Sequence, residues 1–429
     1  MNEERFIQLL TKLIGQVETL QNNPSQGLIP REDNASDLVM EVLAPFSVEQ
    51  GGPLVVERVH FTEGRGNLII KYPGTSDDTI CFLGSHLDVV PANPETWEVD
   101  PFTLKRDGDV LYGRGTTDCL GHVALLTDLF CGLATVKPTL KRSVIAVFIA
   151  NEENGEIEGV GVDGLHSSGK LDELNLKSGP VFWVDSADSQ PCIGTAGNLQ
   201  WTLKATGKLM HSGLPHNGIN PLELVSEATA ELQKRFYRDF PPHEMEKAYN
   251  YRIPSTMKPT QMECARGSIN QIPPWASMSG DCRITPFYAI SVVKDALLAH
   301  VADMNANLDA LPTRGPCSKY ELPAEGKKGL LEITWNTPGE DGVACTLDSP
   351  GNGALMRATA AVLGEAVPYA ISGSLPLVRW MQDSGYDLQI CGYGQSAKYH
   401  AQDESVSLSG MAKATRILAG VIAEMEAAD

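Results

Sequence analysis

The sequence predicts an α/β protein with a central mixed sheet, interrupted by a smaller α+β insert. Three observations lead there. Short apolar runs bounded by turn residues recur along the chain, helical patterns separate them, and the middle of the chain switches to strict alternation. At 429 residues there is room for two to three domains at about 150 residues each.

TICFLGSHLDVV from Thr79, SVIAVFIANEE from Ser143, PVFWVDSA from Pro180 and LQICGYG from Leu388 are β-branched or aromatic and predict buried strands. Between them, Leu120, Val123, Ala124, Thr127, Phe130 and Cys131 fall on one side of a helix after Asp118. Ligands of such a sheet belong at the carboxyl ends of its strands.

From Asn198 the period changes. Leu199, Trp201, Leu203 and Ala205 alternate with polar residues; a helix follows from Pro221 with Leu224, Val225, Ala228 and Leu232. Met262 and Cys264, then Met278, Gly280, Cys282 and Ile284, predict two half-exposed strands. A helix carrying Val292, Val293, Ala296, Leu297 and Val301 and a strand with Leu331, Ile333 and Trp335 complete a β-α-β-β-α-β order, the split βαβ or ferredoxin-like layout. The boundaries expected are 1–196 with 340–429 for the α/β part and 197–339 for the insert, with glycines at both crossings.

Lys and Arg number 34 against 54 Asp and Glu, a net charge of −20 that repels nucleic acid and anionic membranes. No apolar run approaches the roughly 18 residues of a membrane span. Nine cysteines without C-x-x-C spacing, and an amino terminus patterned as an amphipathic helix, not a targeting peptide, lead to the expectation of reduced thiols and a cytoplasmic location.

The chemistry-bearing residues sit at strand and loop ends. His86 and Asp88, in GSHLDVVP, share one face of an extended chain. They read either as a buried histidine satisfied by an acid or as a metal ligand with its orienting carboxylate. Asp118 in LYGRGTTDCLG reads in isolation as a helix cap. Glu152 and Glu153 end an apolar strand, where two carboxylates are costly without a metal, a proton or a cation, so that one can ligate while the other serves as base. Asp185 ends the next run, and KYHAQDES brings His400, Asp403 and Glu404. Together these are nitrogen and oxygen donors suited to two divalent ions sharing a carboxylate, the equipment of a two-metal hydrolase.

The order H-L-D, G-R-G-x-x-D, E-E, a later acid and H-A-x-D-E resembles the M20 family of metallopeptidases and amidohydrolases over nearly the whole chain. The resemblance implies a metal-binding catalytic domain interrupted by a dimerisation (lid) domain. It implies that His86, Asp118 and Asp185 hold one metal, that Asp118, Glu153 and His400 hold the second, and that Asp118 bridges. Glu152 would be the general base and Asp88 the residue orienting His86. In the insert, His211 would cross a homodimer interface to stabilise the oxyanion, and Asn270 and Arg283 would grip the substrate carboxylate. VDSA stands where many relatives have G-E-P, which makes Asp188 a competitor to Asp185, and Ser372–Ser374 falls where relatives carry a Gly-rich loop.

The expected cofactors are two divalent ions, Zn²⁺ first and Co²⁺ second. The expected reaction is removal of the acetyl group from the α-nitrogen of a basic amino acid, N-acetyl-L-ornithine, as in ornithine and arginine biosynthesis. Its partners would be that small molecule and a second copy of the chain, with neither nucleic acid nor membrane. The alternatives are a desuccinylase, a broader N-acyl-amino-acid hydrolase, a dipeptidase, or a non-catalytic amino-acid or peptide binder. Cys119 reads as a buried small hydrophobe beside the bridging acid.

Overall fold

The computed structural model describes residues 1–185, 188–317, 319–375 and 378–428. Ser186 and Ala187, which close the VDSA run, lie outside the described residues. Two compact units are formed: Met1–Ile193 with Cys345–Tyr369 and Leu377–Asp429, and Gly194–Ala344 with Ala370–Pro376.

In the first unit, four apolar runs become the strands Thr79–His86, Ser143–Ile149, Pro180–Val184 and Asp387–Cys391. Their continuous apolar sequence matches a sheet covered on both faces, and almost every residue in them is buried. They lie side by side in the order Ser143–Ile149, Thr79–His86, Pro180–Val184, Asp387–Cys391, all parallel. Gly66–Tyr72 and Val55–His60 extend the sheet antiparallel beyond Ser143–Ile149, and two short strands bring it to eight. The sheet is therefore mixed.

Helices cover it. Leu120–Val136 is apolar nearly all round and buried accordingly, while the amphipathic Glu3–Ile14 turns Phe6, Leu9, Leu10, Leu13 and Ile14 inward. Leu408–Ala427 contributes Met411, Ile417, Leu418 and Val421 to the same core. The four parallel strands share one carboxyl-terminal edge, and the loops leaving it carry the chemistry.

The second unit orders its strands Thr256–Cys264, Trp275–Ile284, Gly197–Thr206, Leu330–Trp335, every neighbour antiparallel. Helices Pro221–Asp239 and Ile290–Ala306 pack on one face over Leu199, Trp201, Leu203 and Ile284. Two details depart from the sequence pattern. Met262 and Cys264 were expected on a half-buried strand, yet Lys258–Cys264 is exposed, with Met262 at 48%. Across a bulge between Pro259 and Gln261, Met262 and Cys264 still lie opposite Met278 and Ala276 of the core-facing side, but the strand is an edge and from Lys258 on it is left uncovered. Val292 also faces solvent, one step off the buried stripe of its helix. No helix among the described residues is long and apolar enough to cross a membrane. Among the described residues no cysteine is in a disulfide, and Cys264 and Cys317 are the exposed ones.

Candidate metal centre

His86 closes its strand with a fully buried side chain. Two residues earlier, Gly84 takes φ +98°, and a Cβ there would stand 2.6 Å from the Trp183 ring. Only glycine fits, and the register with Ser143–Ile149 shifts between Leu83 and His86. Because side chains alternate with period two, that shift resets the face from which His86 projects. Its Nδ1 lies 2.9 Å from the Asp88 carbonyl oxygen, an acceptor only, so Nδ1 carries the proton and Nε2 is left for a ligand.

Asp88, expected to orient His86 through its carboxylate, has Oδ1 3.5 Å from His86 Nδ1, and its backbone carbonyl makes the shorter contact. The Asp88 carboxylate serves the neighbouring turn. It accepts from the Glu152 N–H and the Glu153 N–H, each at 3.1 Å, and from Asn22 Nδ2 at 2.7 Å.

The peptide bond after Asp118 is cis, and Asp118 does not cap the following helix: the cap position is Cys119, without a side-chain bond. Asp118 divides its two oxygens instead. Oδ1 stands 3.0 Å from His86 Nε2, and Oδ2 stands 3.1 Å from His400 Nε2. Glu153 Oε2 is also 3.1 Å from His400 Nε2. Around His86 Nε2, Asp185 Oδ1 lies at 3.8 Å and Glu152 Oε2 at 3.9 Å. The structure thus gathers His86, Asp118, Glu152, Glu153, Asp185 and His400 with Asp118 in the middle. Asp188 is elsewhere, its carboxylate accepting the Ser396 N–H, so Asp185 is the acid of this cluster.

Electrostatics tests whether these residues fit metal ions. Burial pushes the Glu152 carboxyl well above its usual range, reinforced by the Asp185 charge. Glu153 is pushed up to about 7 and Asp185 to about 6 by burial and the charge of Asp118. Burial opposes ionisation of Asp118 too, but hydrogen bonds and charge from His400 and His86 outweigh it and hold that carboxyl well below the ordinary range. Asp185 Oδ1 is buried without a hydrogen-bond partner among the described residues. Four crowded carboxylates, two imidazoles and an orphaned acceptor are a donor set that divalent cations satisfy. Cys119 joins His86 and Asp185 within ligand range, an arrangement absent from the sequence reading. Burial pushes its thiol well up, and Sγ donates weakly to the Val184 carbonyl.

A further buried acid shapes the centre. Glu404 accepts from Arg114 Nη1 at 2.7 Å and from the N–H groups of Gly115, Thr117 and Asp118 at 3.0, 2.7 and 2.9 Å. It holds the turn that presents Asp118. Asp403 accepts from the N–H groups of Glu98 and Val99. The acid pair after His400 was visible in the sequence, but nothing local said which acid holds which turn.

The residues expected to contact substrate lie in the second unit. Gly213 N–H donates to His211 Nδ1 at 3.0 Å, and Asn270 Nδ2 sits 3.3 Å from His211 Nε2. Arg283 Nε donates to Asp281 at 2.7 Å. Ser374, in the SGS segment, accepts from Asn198 at 2.8 Å.

Parallel strands ending in histidine and clustered carboxylates define a metal-dependent hydrolase. Residues 82–424 match Peptidase family M20/M25/M40, and the chain belongs to that family. It is 51% identical to an acetylornithine deacetylase of Arabidopsis thaliana over 99% of this chain and 96% of that protein. It is 52% identical to an acetylornithine deacetylase of Dictyostelium discoideum over 99% and 98% of the two chains. The crystal structure of human carnosine dipeptidase 1 superposes with a TM-score of 0.70 at 18% identity, covering 99% of this chain and 96% of that one, which shows the shared fold.

Proposed function

We propose that the protein hydrolyses N2-acetyl-L-ornithine to ornithine and acetate, a step toward arginine. The observation that carries this reading is identity of about half to two acetylornithine deacetylases over nearly their full lengths, joined to buried histidine and carboxylate groups that could hold a metal ion. The chain is a metal-dependent amide hydrolase. His86, Asp118 and Asp185 would hold one divalent ion, and Asp118, Glu153 and His400 the other, Zn²⁺ first and Co²⁺ second. When bound, such ions lower the pKa of water and polarise an amide carbonyl.

The remaining work falls to side chains. Glu152, 3.9 Å from His86 Nε2, takes the proton of the attacking water and returns it to the leaving α-nitrogen. Burial raises its carboxyl above the ordinary carboxylate range, which favours holding the proton it takes. Arg283, steadied by Asp281, takes the α-carboxylate together with Asn270. His211 turns its imidazole to the developing oxyanion, serving the site of the other protomer in a cytoplasmic homodimer.

The test is release of free ornithine from N2-acetyl-L-ornithine by the purified chain, with N2-succinyl-ornithine, N-acetyl-methionine and a dipeptide as competitors. Release that a chelator abolishes, with acetyl-ornithine preferred, is expected. Preference for the dipeptide or the succinyl compound would overturn the substrate assignment.

A further inference from the structure

We propose that the buried Glu32–Arg65 ion pair is a positioning element for Glu152 and Glu153, acting through Asn151. This rests on the roles given above to those two glutamates. Glu32, Arg65 and Asn22 all precede residue 82, where the family match begins, so the family pattern assigns them nothing.

As the chain leaves the strand Ser143–Ile149, four successive N–H groups are each taken by a buried side chain. Ala150 donates to Asn67 Oδ1 at 3.0 Å, Asn151 to Glu32 Oε1 at 3.2 Å, and Glu152 and Glu153 to the two Asp88 oxygens at 3.1 Å each. Asn151 sits at φ +59°, a left-handed conformation uncommon outside glycine. Its side chain is held on three sides: Oδ1 accepts from Arg65 Nη2 at 3.0 Å and from Asn22 Nδ2 at 3.2 Å, and Nδ2 donates to the Ile157 carbonyl at 2.7 Å.

Arg65 is in turn fixed by Glu32, with Nη2 at 2.6 Å from Oε1 and Nε at 3.0 Å from Oε2. The two side chains are 2% and 0% exposed. Asn22 Nδ2 also donates to Asp88 at 2.7 Å, so the ion pair, Asn151 and Asp88 form one connected network around the turn. A buried ion pair adds little net stability over an apolar pair of similar size. Here its hydrogen bonds fix where two carboxylates begin, and displacement of a reacting group by about 1 Å costs up to about a hundredfold in rate.

Two variants of the full chain, loaded with Co²⁺, test this. Glu32→Gln with Arg65→Met removes both charges together and strands neither. Asn151→Gly keeps the positive φ and deletes the amide. For both, kcat is expected to fall by about ten- to a hundredfold with KM for N2-acetyl-ornithine within about threefold, and the visible Co²⁺ absorption band to change as Glu153 moves. A kcat within about threefold of the parent together with a superimposable Co²⁺ spectrum overturns the proposal, even if the thermal midpoint falls. Should the double variant not fold, Asn151→Gly decides. Should the parent release no ornithine, the functional reading fails while the Co²⁺ spectrum still decides this one: a changed band supports it and an unchanged band overturns it.

Discussion

In the first unit, His86, Asp118, Glu152, Glu153 and Asp185 have side chains 0–12% exposed and His400 alone of that centre is open, at 56%, whereas in the second His211 and Asn270 are exposed and Arg283 is 38% exposed. The difference extends to what holds them. Turns bearing the buried acids are tied by carboxylates that stand behind them: Asp88 and Glu32 take the N–H groups of 151–153, and Glu404 takes those of 115, 117 and 118. The insert's residues have one or two local partners each. Rigid, desolvated placement suits groups that face cations and move a proton, where small displacements are expensive. Exposed donors suit the roles proposed for the insert's residues, toward a substrate carboxylate or a second protomer, because such partners would arrive from outside.

Substitutions on the two sides should therefore fail in different ways. The largest effect is expected from Glu152→Ala, which should lower kcat by at least about a hundredfold while the variant still retains its metal in elemental analysis. Loss of the metal along with activity would make Glu152 a ligand instead. Next is Glu404→Gln, which leaves Arg114 buried without its counter-charge and loosens the Asp118 turn. It should cost about 3–5 kcal/mol in denaturant unfolding and weaken Co²⁺ binding by about ten- to a hundredfold in equilibrium titration. Unchanged metal affinity in a destabilised protein would reduce Glu404 to a fold residue. Arg283→Lys should be mildest: a KM raised about tenfold, kcat near the parent, metal content and thermal midpoint unmoved. A fall in kcat with KM constant would move Arg283 from substrate binding to the transition state.

What the sequence could tell follows the same divide. The four buried strands were legible because parallel strands covered on both faces are written as unbroken apolar runs. Their ends then exposed His86, Glu152, Glu153 and Asp185 as polar residues where apolar sequence stops. Asp118 was ambiguous because capping and ligation both favour an aspartate before a helix, and only the positions of His86 and His400 separate them. Met262 misled because alternation marks which face a side chain shares, not whether anything covers that face, and beyond Met257 this edge strand is uncovered. Glu32 and Arg65 left no trace: each is one charged residue in polar surroundings, and their meeting across 33 positions is decided by the packing of the chain. His211, Asn270 and Arg283 carry no local signature and came from resemblance to the M20 family.

The shared position of Asp118 is the centre of the account, and metal stoichiometry tests it most directly. Apo-protein dialysed against Zn²⁺ or Co²⁺ and assayed by elemental analysis should hold two ions per chain, and Asp118→Asn should hold at most one. One ion per chain in the parent, or two retained in Asp118→Asn, would contradict a centre built around a bridging carboxylate.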